Sequence, residues 1–324
     1  MRKESRQVAN VQVARVQGYH ETTQRTANYE NYAFAGYSEN RYFSSDRYEK
    51  LTADFLRPNG QPLKGYGIEI ETECTGIKNQ TVLAEVLDKI VFPHFPEGLF
   101  KMQRDGSLGG DTSAECITQI MSKAFIRNHY KDFKVMFNDY FTAFGISASR
   151  SGRCGMHVNV SRACFGAKPE TQTEAVRKLL YVINKHFDFF CALFYRDANN
   201  TGYCSRMNHY AIKENAKNAV LNEVGSSHYI SLNLGHWETG RVEIRLVGGQ
   251  KDFACFRNTM ESVFFLVQRL QKLSWEDCDD LAKMFKGCNQ YVFDRIRSYC
   301  AERGTITTDA VEKIRATVVR EELI

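Results

Sequence analysis

The stretch Cys154–Arg162, CGMHVNVSR, is the place to begin, because it reads as a β-strand whose two sides differ in kind. Side chains alternate along a strand, so Met156, Val158 and Val160 share one face while His157 and Asn159 share the other. An imidazole and a carboxamide therefore point the same way from the middle of a sheet pattern.

The same arrangement recurs up and down the chain. In YGIEIETE (66–73), Ile68, Ile70 and Thr72 alternate with Glu69, Glu71 and Glu73. Taken alone, that is the solvated face of an amphipathic strand. GRVEIRLVGG (240–249), however, puts Arg241, Glu243 and Arg245 on one face, HYISLNLG (228–235) does so with Ser231 and Asn233, and AECITQIM (114–121) contributes Glu115. An ordinary exposed sheet face would collect Thr, Lys and Gln; these strands collect Glu, His, Asn and Arg at alternate positions, the pattern of a site. The turn-like GHWETG (235–240) joins the last two strands as a hairpin.

Helices interleave irregularly with these strands. Val82, Val86 and Ile90 mark a short one, Phe125–Phe141 a longer aromatic one, and residues 253–272 another. TQTEAVRKLLYVINKHFDFFCALFY begins with a capping-box pattern, Thr171 to Glu174, and then sets Val176, Leu179, Leu180, Ile183, Phe187 and Phe190 on one face. About three more helices follow, one starting at Ser274 with Asp277 three residues on. The layout predicts an α+β fold with a largely antiparallel sheet and helices on one face. Residues 1–58 are polar and rich in Arg, Asn, Ser and Tyr, and read as an N-terminal extension, partly disordered. Residues 59–324 read as one catalytic domain, with 273–324 as its helical C-terminal segment.

The chain has 324 residues, 43% of them hydrophobic, enough for a substantial core. No apolar run approaches the ~20 residues of a membrane span, and the basic start lacks the apolar stretch of a signal peptide, so a cytoplasmic protein with no membrane partner is expected. Its ten cysteines are scattered singly through apolar segments, the pattern of reduced thiols. Cys154-x-x-His157 alone is not a structural zinc site, which needs four ligands. A net charge of +5 lacks the dense basic stripe of a nucleic-acid binder.

The chemistry follows from ligand hardness. Carboxylates with one imidazole suit Mg²⁺, or Mn²⁺. Carboxylates at i and i+2 of a strand stand roughly 6–7 Å apart, which favours two separate ions, each bridged to further carboxylates such as Glu115 and Glu243, as in sites that clamp a transferring phosphoryl group. Arg241 and Arg245 would add planar forks for phosphate or a substrate carboxylate, or else be structural ion pairs. RDGSLGGDTSAEC (104–116) holds a polar turn, Asp105-Gly106-Ser107. There is no GxxxxGK[ST] loop, no GxGxxG before a helix and no GxSxG elbow.

In this order and spacing, from YGIEIETE through RDGSL, SAECITQIMS, CGMHVNVS and HYISLNL to GRVEIRLVGG, the chain resembles the amidoligases of the carboxylate–amine ligase superfamily that includes glutamine synthetase and glutamate–cysteine ligase. The resemblance covers about residues 66–249. It implies a curved, glutamine synthetase/guanidino kinase-like sheet holding ATP and magnesium. Glu69, Glu71, Glu115, His157 and Glu243 would be metal ligands; Arg245, with Arg241 and Asp105, would serve the reaction; Asn159, Asn233 and Ser107 would contact the nucleotide. Many relatives have His-x-His where this chain has His157-x-Asn159. The implied reaction activates a carboxylate by the γ-phosphate of ATP and joins it to an amine, with peptide, protein or amino-acid-like partners. Two alternatives stand beside it: a guanidino-type phosphotransferase on the same fold, and a non-catalytic binding protein whose first 58 residues contact nucleic acid or an assembly. Nine basic against seven acidic residues give that arm a net charge of only +2.

Overall fold

The computed structural model describes residues 64–77, 83, 86–96, 99–103, 113–149, 154–199, 201–225 and 229–303. The N-terminal extension, Asp105, Ser107 and Val82 lie outside the described residues. The chain divides into two compact units, one ending at Val158 and including Gly249–Phe253, the other made of Asn159–Gly248 and the chain from Ala254 onward.

The first unit is built on β1 (Tyr66–Cys74), with β2 (Phe100–Gln103), β3 (Ser113–Thr118) and β4 (Ile146–Ser147). The pairings β1–β3, β2–β3 and β1–β4 are antiparallel. β1 follows its sequence pattern: Ile68 and Ile70 are wholly buried, each contributing about 1.5–3 kcal/mol of apolar burial. Thr72, on the same face, is tied down by its hydroxyl, which donates to the Ala114 carbonyl at 2.7 Å. β2 has no sequence signature, being too short for alternation to show; the stacking of Phe100 on Phe92, ring centroids 4.6 Å apart, fixes it instead. The single helix expected over Phe125–Phe141 is broken into α1 (Lys123–Asn128), α2 (Tyr130–Lys134), a π-turn over Val135–Tyr140, and α3 (Phe141–Phe144). The first break falls at His129, whose ring bonds Asp132 at 2.7 Å and stacks on Phe125, a local arrangement that competes with a continuous helix. Gly145 ends α3 in the left-handed conformation, φ 68°.

The division between units falls inside β5 (Met156–Ser161). The second unit adds β6 (Leu232–Asn233) and β7 (Arg241–Ile244), which pair antiparallel across the expected hairpin turn, Leu232 facing Ile244 and Asn233 facing Glu243. Its helices are α4 (Pro169–Lys185), α5 (Phe187–Leu193), α6 (Phe253–Arg269) and α7 (Gln290–Arg303), with short turns between. The apolar stripe of α4 and α5 is buried throughout, from Val176 to Phe190. Its capping box does not form. Pro169 takes the first helical position and the helix starts two residues early, placing Thr171 inside the first turn. Glu174 is used by the tertiary structure instead: its Oε1 accepts from Trp275 Nε1 at 2.5 Å and lies 3.3 Å from Lys178 Nζ. Ser274 does cap, accepting from Asp277 N at 3.1 Å, though only onto a 3-10 turn.

The architecture is thus α+β with antiparallel strand pairs and helices. No helix among the described residues is long and apolar enough to cross a membrane. The described cysteines are free, and all but Cys164 are buried.

Candidate functional site

The glutamates of β1 are not a solvated face. Glu71 is only 7% exposed and His157 likewise 7%, although both sit on the polar sides of their strands. In the first unit the imidazole lies between two carboxylates: Nδ1 is 3.1 Å from Glu69 Oε2 and Nε2 is 3.6 Å from Glu71 Oε1. Both ring nitrogens thus face an acidic oxygen.

The backbone holds this arrangement. Glu71 N donates to Gly155 O at 3.1 Å, while the Gly155 N–H donates back to Glu71 Oε2, fixing both ends of one residue against the start of β5. Sequence reading missed that second contact; its only signal is the glycine before the His-x-Asn run. Glu115 of β3 stands directly opposite Glu71. Its charge, after burial, is the second cause holding the neighbouring Cys116 thiol well above the ordinary thiol range. That thiol stays protonated and is no nucleophile. Glu69, Glu71 and His157 form a set of hard oxygens with one imidazole nitrogen, which fits Mg²⁺ or Mn²⁺.

No family model matches the sequence, and no curated protein matches it.

In the second unit the hairpin strands gather another set. Glu243, 5% exposed, accepts from Asn233 Nδ2 at 2.8 Å and from Arg245 at 2.5 Å, one bond to each carboxylate oxygen. Asn233 is engaged on both sides, since its Oδ1 accepts from Gly235 N at 2.9 Å. Arg245 is therefore an ion-paired arginine with a defined orientation. Arg241, half-buried on the same strand, makes no ion pair among the described residues, and its Nε has no hydrogen-bond partner there. Ser231 is fully buried, and its hydroxyl likewise has none among the described residues. Asn159 is half-buried, two residues beyond His157 on β5.

β7 ends in a bulge. The N–H groups of Arg245 and Leu246 both donate to Ser231 O, at 3.0 and 3.2 Å, so two residues oppose one and the regular ladder stops at Ile244. This is why the expected strands over 228–235 and 240–249 are shorter than their sequence patterns. The two glycines after the bulge serve close backbone approach. A Cβ on Gly248 would lie 2.1 Å from Tyr195 O, and one on Gly249 2.3 Å from Ala148 O.

Proposed function

We propose that the chain is an ATP- and magnesium-dependent carboxylate–amine ligase, as its resemblance to the amidoligases implies. The observation that carries the reading is the burial of His157 between Glu69 and Glu71. Buried carboxylates facing one imidazole and a third carboxylate across the strand are costly without a compensating cation. The finer expectations belong to the same proposal: a curved sheet of the glutamine synthetase and guanidino kinase kind with helices on one face, and a cytoplasmic location.

The resemblance assigns the metals to Glu69, Glu71, Glu115, His157 and Glu243, and the nucleotide to Asn159, Asn233 and Ser107. Bound Mg²⁺ would offset charge on the phosphate oxygens of ATP. Arg245, oriented by Glu243, steadies the transferring phosphoryl group; Arg241 has a guanidinium to spare for the substrate carboxylate. The substrate carboxylate takes the γ-phosphoryl group and leaves ADP, and an amine nitrogen then attacks the acyl carbon, releasing phosphate and a proton. Catalysis would come from orientation and charge stabilisation, with no nucleophilic side chain required.

The test is incubation of the full chain with ATP, Mg²⁺ and a host lysate, read by mass spectrometry. A condensed product with ADP supports the ligase; a phosphorylated product points to a guanidino-type phosphotransferase. No ATP binding in Mg²⁺, together with no ATP consumption, removes both.

A further inference from the structure

We propose that Tyr195 and Arg196, which follow α5, are positioning residues for Arg245. The inference rests on the phosphate role just proposed for Arg245 and concerns how its strand end is held. A bulge leaves the residues at and after it without regular ladder bonds, so the aim of Arg245 depends on what pins the chain beyond it. What pins it is a clasp. Arg196 donates to Val247 O at 2.6 Å, Gly248 N donates to Phe194 O at 2.8 Å, and Gly248 lies so close to the Tyr195 carbonyl that no side chain fits between them.

The clasp is itself held in an unfavourable shape. Tyr195 has φ 59°, and no other non-glycine residue among those described has positive φ. Bulky side chains rarely adopt that region, and such a conformation persists only where its surroundings over-determine it. Here they do: Asn258 of α6 donates to the Tyr195 hydroxyl at 3.0 Å, and the Arg295 guanidinium of α7 lies 4.0 Å from the centre of its ring. Arg295 also donates to Ala192 O at the end of α5. A strained residue fixed from two helices, and touching the strand end three residues beyond Arg245, is best explained as a device that sets where that strand end lies.

The experiment uses the full chain with Arg196→Leu, Arg245→Ala and the double variant, together with a crystal structure of Arg196→Leu. We expect Arg196→Leu to separate Arg245 from Glu243 in the crystal. We expect it to lower kcat for ATP turnover about a hundredfold, the effect of an ångström-scale misplacement, with KM for ATP within about twofold. It should cost nothing further in the Arg245→Ala background, and Arg196→Lys should recover most of the loss. An Arg245–Glu243 contact unchanged in the variant crystal overturns the positioning role, as does an equal loss in both backgrounds. Should Arg196→Leu fail to fold, Asn258→Ala carries the same readouts. If the wild-type chain neither binds nor turns over ATP, the ligase reading falls, while the crystal still decides whether the clasp places Arg245.

Discussion

Glu71 and Glu115 face each other directly across the β1–β3 pair. Like charges in that position repel by roughly 0.2–1 kcal/mol on an exposed sheet, and the burial of Glu71 removes the screening that would soften this. Glu115→Gln is therefore expected to raise the melting temperature in EDTA, by about 0.5–1 kcal/mol of stability. It is also expected to reduce the stabilisation that Mn²⁺ gives the wild type. Thermal unfolding with and without Mn²⁺ measures both, and a variant that is less stable in EDTA would argue against an uncompensated pair.

His157→Ala removes the group between Glu69 and Glu71. The ligase reading expects ATP turnover at background with the fold intact by circular dichroism. A metal bound at a hundred times its Kd would stabilise the wild type by about 2.7 kcal/mol, and the variant should lose most of that gain. Full turnover in His157→Ala would mean that the site lies elsewhere.

His186, between α4 and α5, has its pKa lowered from 6.5 mainly by burial, with its Nε2 3.0 Å from Cys278 O. The folded chain thus takes up this proton less readily than the unfolded chain. Its contribution to stability is present above the unfolded pKa of 6.5 and lost as pH falls below that value toward the lower folded pKa. Urea midpoints measured from pH 7.5 to 5 should fall, and His186→Gln should flatten that part of the profile.

Gly249→Ala is expected to destabilise the chain by about 1–3 kcal/mol or more, because the added Cβ would lie within 2.3–2.8 Å of Ala148 O, Ser149 Cα and Cys154 O, all backbone atoms. Urea denaturation measures this directly; a neutral outcome would require the 148–154 backbone to move freely.

Glu174→Gln tests the contact that displaced the expected capping box. Lys178, 6% exposed, would keep its bond to Leu273 O but lose its carboxylate, and Trp275 would keep only an amide acceptor. A loss of about 1–3 kcal/mol is expected, as for charge-assisted hydrogen bonds removed from a poorly solvated position.

Several features were legible in the sequence. The β1 and β5 alternation, the α4–α5 stripe and the β6–β7 hairpin depend on side-chain periodicity, and periodicity is local information carried by neighbours one to four residues apart. Which residues share a strand face followed from the same rule, so Glu69, Glu71 and His157 could be named from it.

What they touch could not. That Glu71 is buried rather than solvated, that it accepts the Gly155 N–H, that Asn233 and Arg245 divide the two oxygens of Glu243, and that Glu174 turns from its helix cap to Trp275 all depend on partners distant in sequence. So does the break of the aromatic helix at His129, where one local hydrogen bond outweighed a continuous apolar pattern. The sequence by itself determined the elements and their polar faces, because those are set by the alternation of neighbouring side chains. The tertiary structure alone decided which polar groups are buried and which oxygens are shared, because burial and hydrogen bonding are properties of packed surfaces, not of the chain that forms them.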